Sequence, residues 1–428
     1  MARMLHRERQ TSRPDCARRH GETIIIERVA RDGLTAEETG KVRRYFQKGE
    51  TMNKRSKIAA AALFMSFFAG YALAENGVTN TTIRIGQTIG ITGQIAGAVK
   101  ELNEGANAYI DSVNRGGGVH GRMIEIVTLD DKFDPALSAK NAERLILEDR
   151  VFAMFQNRGT PHTEAILPLL SSNKVPLVGP STGATILHAP VNPYLFNVRA
   201  KYQQEVIKAI EQFSTVGATR IALIHVDDSF GRDGLEGFNH AMTERKLTPA
   251  AIIKFDRVKP DFAGVIAAAI AANPQTAIII SSAPTAVSII KGLREKGSKM
   301  QLMTLSNNSS GAFVKNLGPH AAGIIVSQIT PPPNLLTSHL AKEFKSAAKA
   351  TGATVSYSAM EGFIAAKVLV EGLQRAGKNL TRERFIQGLE SIKSVDVGGV
   401  IISYGPTDHT GSEFVELTII GKDGRFRR

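Results

Sequence analysis

A serine set between two glycines is the first group in this sequence whose surroundings could do chemistry. Gly179-Pro180-Ser181-Thr182-Gly183 satisfies the G-x-S-x-G pattern, in which a strained strand-to-helix turn exposes a nucleophilic hydroxyl. An elbow serine leads straight into a helix, whereas Pro190 and Pro193 interrupt any helix soon after this one. Anion binding fits the segment better. Hydroxyls and free backbone N–H groups at the carboxyl end of a parallel strand receive a ligand carboxylate, as open α/β sheets commonly do. Asn157-Arg158-Gly159-Thr160-Pro161 stands in the equivalent place after the preceding strand, with Pro161 suited to a first helical position. Two polar strand ends side by side form a stronger signal than either alone, although Asn157 and Thr160 also suit a simple helix cap.

Other chemistry finds less support. Asp130-Asp131 closes a strand without a histidine or third carboxylate at ligand spacing, so it reads as a solvated loop that stabilises helix N-termini. The ten histidines are scattered and form no H-E-x-x-H pattern. Gly86, Gly90 and Gly93 follow the first strand without the Lys-Ser/Thr that a phosphate cradle requires. No cofactor and no metal site is expected.

The elements that must position these groups alternate between β-branched runs and amphipathic stretches, the pattern of parallel sheets covered by helices on both faces. Strands are expected at 83–88, 123–129, 152–155 and 175–178, with helices at 97–114, 135–147 and 161–171. A second series follows, with strands at 221–226, 251–255, 277–280, 302–305 and 324–328 and helices at 201–213, 233–246, 261–272 and 285–296. Pro331-Pro332-Pro333 then leads into helical stretches at 336–350 and 357–375 that return to the first lobe. Strands at 399–403 and 414–420 close the fold.

The N-terminal region carries an export signal. Met52 opens a basic stretch, Asn53 to Lys57, followed by an apolar run from Ile58 to Ala69 and by Ala72-Leu73-Ala74, where cleavage leaves Glu75 first. A signal peptide at 52–74 leaves residues 1–51 without a role in an exported protein, and they read as an extension from a misassigned start. Residues 1–74 hold 15 Lys and Arg against 8 Asp and Glu, so the net charge of +13 falls to +6 in the remainder and nucleic acid is not implied. The one cysteine, Cys16, precedes the signal, which removes disulfides, thiolate ligands and a lipid-anchoring cysteine from the exported part.

In order and spacing, a set of short landmarks resembles the substrate-binding proteins of branched-chain amino-acid ABC transporters, the type I periplasmic binding proteins. They are Ile83-Arg84-Ile85-Gly86 with Thr92-Gly93, Gly105-Ala106, Asn114-Arg115-Gly116-Gly117-Gly118-Val119 and Leu129-Asp130-Asp131 before Asp134-Pro135. Val175-Pro176, Asp227-Asp228-Ser229-Phe230-Gly231 and Gly411-Ser412 continue the series, so the likeness spans nearly all of 80–425. It implies an α/β fold of two doubly wound lobes joined by a three-crossover hinge, with 80–198 plus 329–402 as the N-terminal lobe and 199–328 plus 403–428 as the C-terminal lobe. The crossovers are expected near Phe196 to Arg199, Gln328 to Thr330 and Ile402 to Tyr404.

The resemblance also implies a monomeric, non-enzymatic periplasmic protein that closes on a small ligand and presents it to the permease and ATPase subunits of an importer. A sensor using the same cleft is the alternative. In such proteins the ligand carboxylate is held by loops matching Asn157, Gly159 and Thr160 and Ser181, Thr182 and Gly183, and Phe230 matches an aromatic cover. Ser282 and Ala283 fall near a second aromatic position, Ala98 replaces an aromatic wall, and Ser358 completes the candidate set. Ser306 falls where amino-acid binders place an acid for the ammonium group. A buried ammonium without such a partner is costly, so an acid lacking the α-amino group stands beside leucine, isoleucine and valine as an expected ligand.

Overall fold

The computed structural model describes residues 75–428; the expected extension and signal peptide lie outside the described residues. The first lobe is built on a five-stranded sheet, all parallel, in the order β2-β1-β3-β4-β5. Its strands are β1 (Thr82–Ile89), β2 (Met123–Asp130), β3 (Ala153–Phe155), β4 (Leu177–Val178) and β5 (Leu195–Phe196). Helices α1 (Ala96–Arg115), α2 (Pro135–Leu147) and α3 (Thr160–Asn173) connect them. α2 begins where its sequence dictates, because Asp134 caps it by accepting from Ala136 N (2.8 Å) and Pro135 needs no donor there.

The second lobe carries a seven-stranded sheet in the order β15-β14-β10-β9-β8-β6-β7. β6 (Ile221–Val226), β7 (Ala251–Phe255), β8 (Thr276–Ile280), β9 (Gln301–Thr304) and β10 (Ile325–Gln328) are parallel, and β14 (Glu416–Ile420) and β15 (Phe426–Arg427) add an antiparallel edge. β6 and β8 are buried along their whole length, which is why they read as continuous apolar runs without alternation. Around this sheet lie α4 (Tyr202–Thr215), α5 (Ser229–Glu244), α6 (Phe262–Ala271), α7 (Ala283–Glu295) and the short α8 (Gly311–Leu317).

After β10 the chain returns to the first lobe through α9 (His339–Thr351), α10 (Tyr357–Ala376) and α11 (Arg382–Glu390), whose Phe344, Phe363 and Phe385 join the core of the first sheet. α10 crosses α1 in near contact because neither helix carries a side chain at the crossing. A Cβ on Gly105 would lie 1.8 Å from the Ala359 carbonyl oxygen, and one on Gly362 would lie 2.0 Å from that of Leu102.

A small antiparallel sheet of β11 (Val395–Asp396), β12 (Ile401–Gly405) and β13 (Asp408–Gly411) follows. It packs beside β5. The Tyr404 ring packs edge-on against Phe196 and its hydroxyl donates to Asn197 O (2.6 Å), while His409 stacks on Phe196 at 3.9 Å. These aromatic contacts hold β12 and β13 against the core of the first sheet. The chain passes between the two larger sheets after β5 and after β10.

Candidate functional site

The loops after β3 and β4 run side by side at the carboxyl edge of the first sheet. Ser181 N donates to Asn157 O (2.8 Å), Gln156 N donates to Val178 O (3.1 Å), and the Thr160 and Thr182 hydroxyls are 2.7 Å apart. The polar residues of both segments therefore form one surface. Gly159, at φ 103°, provides the bend before α3, and the Gly183 carbonyl accepts from Tyr202 N (2.7 Å) at the first crossover. Asn157 is fully buried, with its Nδ2 lacking a hydrogen-bond partner.

Arg158, between the two loops, carries the charge of this surface. Its Nη1 donates to Ser181 Oγ (2.9 Å), and its Nη2 reaches across the cleft to Asn307 O (2.7 Å), just beyond β9. Among the described residues no carboxylate lies within ion-pair distance of it, and burial pulls its pKa below the usual arginine value, an effect Glu361 partly opposes. A buried cation bonded only to neutral oxygens is an open site for an anion.

The Ser181 hydroxyl donates to Glu361 Oε1 (2.9 Å), on α10. A second guanidinium, Arg199 at the first crossover, lies 3.6 Å from the same oxygen. Arg199 Nη2 donates to Glu205 Oε1 (2.6 Å) on α4 and to Ser306 Oγ (2.7 Å), and its guanidinium lies 4.5 Å above the Tyr202 ring. Burial works against its charge, but Tyr202, Glu205 and Glu361 outweigh it and raise its pKa above the ordinary arginine value. Glu205 also accepts from Ser306 N (2.9 Å), Ser306 Oγ (2.9 Å) and Ser327 Oγ. Ser181 is thus clamped between a guanidinium and a carboxylate. Among the described residues no histidine is bonded to it, and the relay a nucleophilic serine needs is missing.

Of the other expected site residues, Phe230 lies in the first turn of α5 with its ring 4.7 Å from that of Tyr202, at the second lobe's side of the cleft. Ser306 faces Glu205 and Arg199. Ser358 is buried in the first turn of α10, and its hydroxyl lacks a partner. Ser282 and Ala283 stand apart from the polar network. Ser282 pairs with Thr285 in its own helix, and only the neighbouring Ser281 is tied in, through Asn307 Nδ2 (2.9 Å). Arg158, Arg199, Tyr202, Glu205 and Glu361 were not among the expected site residues. Glu361 had a readable signal, an acid among apolar and small residues near the start of its helix.

The lobes meet at further points around the cleft. Glu101 of α1 accepts from Gly311 N and Ala312 N (both 2.9 Å), Asp233 of α5 accepts from Thr185 N (2.8 Å), and Ser229 bonds to Glu164. The Arg257 guanidinium covers Phe133 at 4.7 Å, and Phe133 stacks on His162. The Asp130-Asp131 pair organises the loop after β2. Asp130 accepts from Thr92 and Lys132, while Asp131, pushed up to about 6 by burial, accepts from Phe133 N and Thr88 Oγ1.

This geometry of two lobes closed on a polar cleft has counterparts. The family model of the periplasmic binding proteins matches residues 82–425. Leu/Ile/Val-binding protein homolog 3 of Brucella melitensis is 21% identical over 369 residues, 85% of this chain and 95% of that one. The crystal structure of a substrate-binding periplasmic protein from Ralstonia solanacearum superposes with a TM-score of 0.75 at 30% identity, covering 80% of this chain and 99% of that one. A fatty acid ABC transporter substrate-binding protein from Thermomonospora curvata shares the fold, with a TM-score of 0.74 at 20% identity over 82% of this chain and 91% of that one. The chain belongs to the periplasmic binding protein family, as a ligand-binding member of the Leu/Ile/Val-binding type with the type I fold, and it is not an enzyme.

Proposed function

We propose that the cleft captures a small carboxylate, an amino acid or a related acid, in the periplasm and delivers it to the permease of an ABC importer. The observation that carries this reading is Arg158, a buried guanidinium with only neutral partners, flanked by the hydroxyls of Thr160, Ser181 and Thr182. A carboxylate arriving there gains charge-assisted hydrogen bonds from the cation and the adjacent loops. Phe230 and Tyr202 supply an apolar wall for the rest of the ligand. A relative is named for leucine, isoleucine and valine, each of which carries a carboxylate. Export through the segment at 52–74, with cleavage after Ala74, completes the reading.

The test is mass spectrometry of protein purified from the periplasm without unfolding, followed by calorimetric titration of the molecule recovered. A small carboxylate is expected, bound ten- to a hundred-fold more weakly by Arg158→Met, since a hydrogen bond to a charged group contributes about 1.5–3 kcal/mol. Recovery of a ligand without a carboxylate, or unchanged affinity in the variant, would refute it.

A further inference from the structure

We propose that Arg199 is a specificity-determining residue: a built-in counter-cation that engages Glu205 and Glu361, the two carboxylates nearest Ser181 and Ser306, and thereby restricts the ligand to acids without an α-ammonium group. This rests on the cleft being a carboxylate site and names the class of carboxylate it takes.

An α-amino acid needs two complementary charges, and the cleft holds one of them unengaged. Glu205 is saturated. It receives Arg199 Nη2, the Ser306 backbone and hydroxyl and the Ser327 hydroxyl, which together fill the four lone-pair sites of a carboxylate. Glu361 is shared between Ser181 and Arg199. An ammonium reaching for Glu361 would bring a third cation beside two buried guanidiniums, where like charges are poorly screened. What the cleft leaves unused points the other way. Arg158 has no carboxylate partner, and Asn157 Nδ2 is a buried donor without a hydrogen bond. At Arg158 the unmet demand is for a negative charge.

Ser306 supports the same conclusion from the opposite lobe. Its hydroxyl and backbone N–H both point to Glu205, so this position neither offers an acid to an ammonium nor stands free to receive one. Arg199 lies on the first crossover, Glu205 on the second lobe and Glu361 on the first, so the cation serves one carboxylate of each lobe when the cleft is closed.

Matched pairs test this by isothermal titration of the protein purified from the periplasm: leucine against 4-methylpentanoate, and phenylalanine against 3-phenylpropanoate. The expected result is that the member lacking the amino group binds at least tenfold tighter, about 1.4 kcal/mol. In Arg199→Met the ratio should fall to near unity or reverse, because Glu361 is released. Arg199→Met combined with Glu205→Gln removes one negative charge along with the positive one, and serves if the single variant does not fold. An amino acid binding as tightly as its deaminated partner overturns the proposal. So does a variant that weakens both members equally, since that is the signature of a purely structural arginine. If neither pair binds, the acid recovered by mass spectrometry and its α-amino counterpart replace them with the same expected ratio. Recovery of a ligand without a carboxylate removes the underlying reading, and the proposal with it.

Discussion

Replacing Glu205 by alanine is the perturbation whose cost the structure specifies most fully. The side chain is completely buried and accepts from Arg199 Nη2 at 2.6 Å, from Ser306 N and Ser306 Oγ at 2.9 Å, and from Ser327 Oγ. Its removal leaves Arg199, itself 3% exposed, with one distant carboxylate, and leaves the Ser306 amide without an acceptor. Breaking a buried ion pair from one side costs about 3–5 kcal/mol, because the remaining charge stays desolvated. Against a typical stability of about 5–15 kcal/mol that is a large fraction. Glu205→Gln keeps an oxygen for Ser306 N and loses the charge, so about half the cost is expected. Arg199→Met with Glu205→Ala removes both charges, and its cost should fall short of the summed single costs by about 1–3 kcal/mol, the range of coupling between contacting groups. Urea unfolding followed by circular dichroism measures these three and the Arg199→Met single variant, with the denaturant slope compared so that a change in the unfolded state is not mistaken for lost contacts. A Glu205→Ala protein within 1 kcal/mol of the parent, or additive costs in the double variant, would refute the reasoning.

Gly105→Ala should lower stability by about 3 kcal/mol or more despite alanine's better helix propensity, because the new methyl meets the Ala359 backbone oxygen at 1.8 Å and no side chain can turn aside; thermal unfolding reads it, and an unchanged melting temperature would contradict the crossing geometry. His162 is buried with neither ring nitrogen hydrogen-bonded, and burial depresses its pKa to about 4. Stability from its neutral form is complete above the unfolded value of about 6.5 and is lost as pH falls towards 4, about 3 kcal/mol over that window. His162→Phe should keep the stacking on Phe133 and remove that part of the slope, as urea midpoints at pH 7 and pH 4.5 would show; an unchanged slope would refute the assignment.

The layered part of the fold was legible because central parallel strands are apolar on both faces, and β6 was expected at its observed limits. α2 was equally clear because Asp134-Pro135 fixes its start. α5 was not: it was expected from Asp233, yet it begins at Ser229 with Asp228 as its cap. Gly231 and Gly234 resemble loop residues, but their glycines let the helix press on the sheet, where a Cβ would fall 1.7 Å from Val226 O and 2.2 Å from Ile280 Cδ1. β5, two residues long, is too short for any period to mark it. The packing of β12 was not legible because it rests on Tyr404 meeting Phe196, a contact between segments some two hundred residues apart.

The site divides along the same line. The polar residues clustered after β3 and β4, on which the proposed anion site rests, were legible because strand position and residue type are both local. Which charges are available there is not local. Arg199, Glu205 and Glu361 come from a crossover and two separate helices, and each alone reads as an ordinary charge of its element. The serine at 306 suggested a missing acid, and the structure supplies two acids and then engages both with an arginine. The identity of one position therefore could not settle the ammonium question. In the reading proposed above it turns on the sum over the buried cluster, where Arg199 answers Glu205 and Glu361 and Arg158 is left for the ligand.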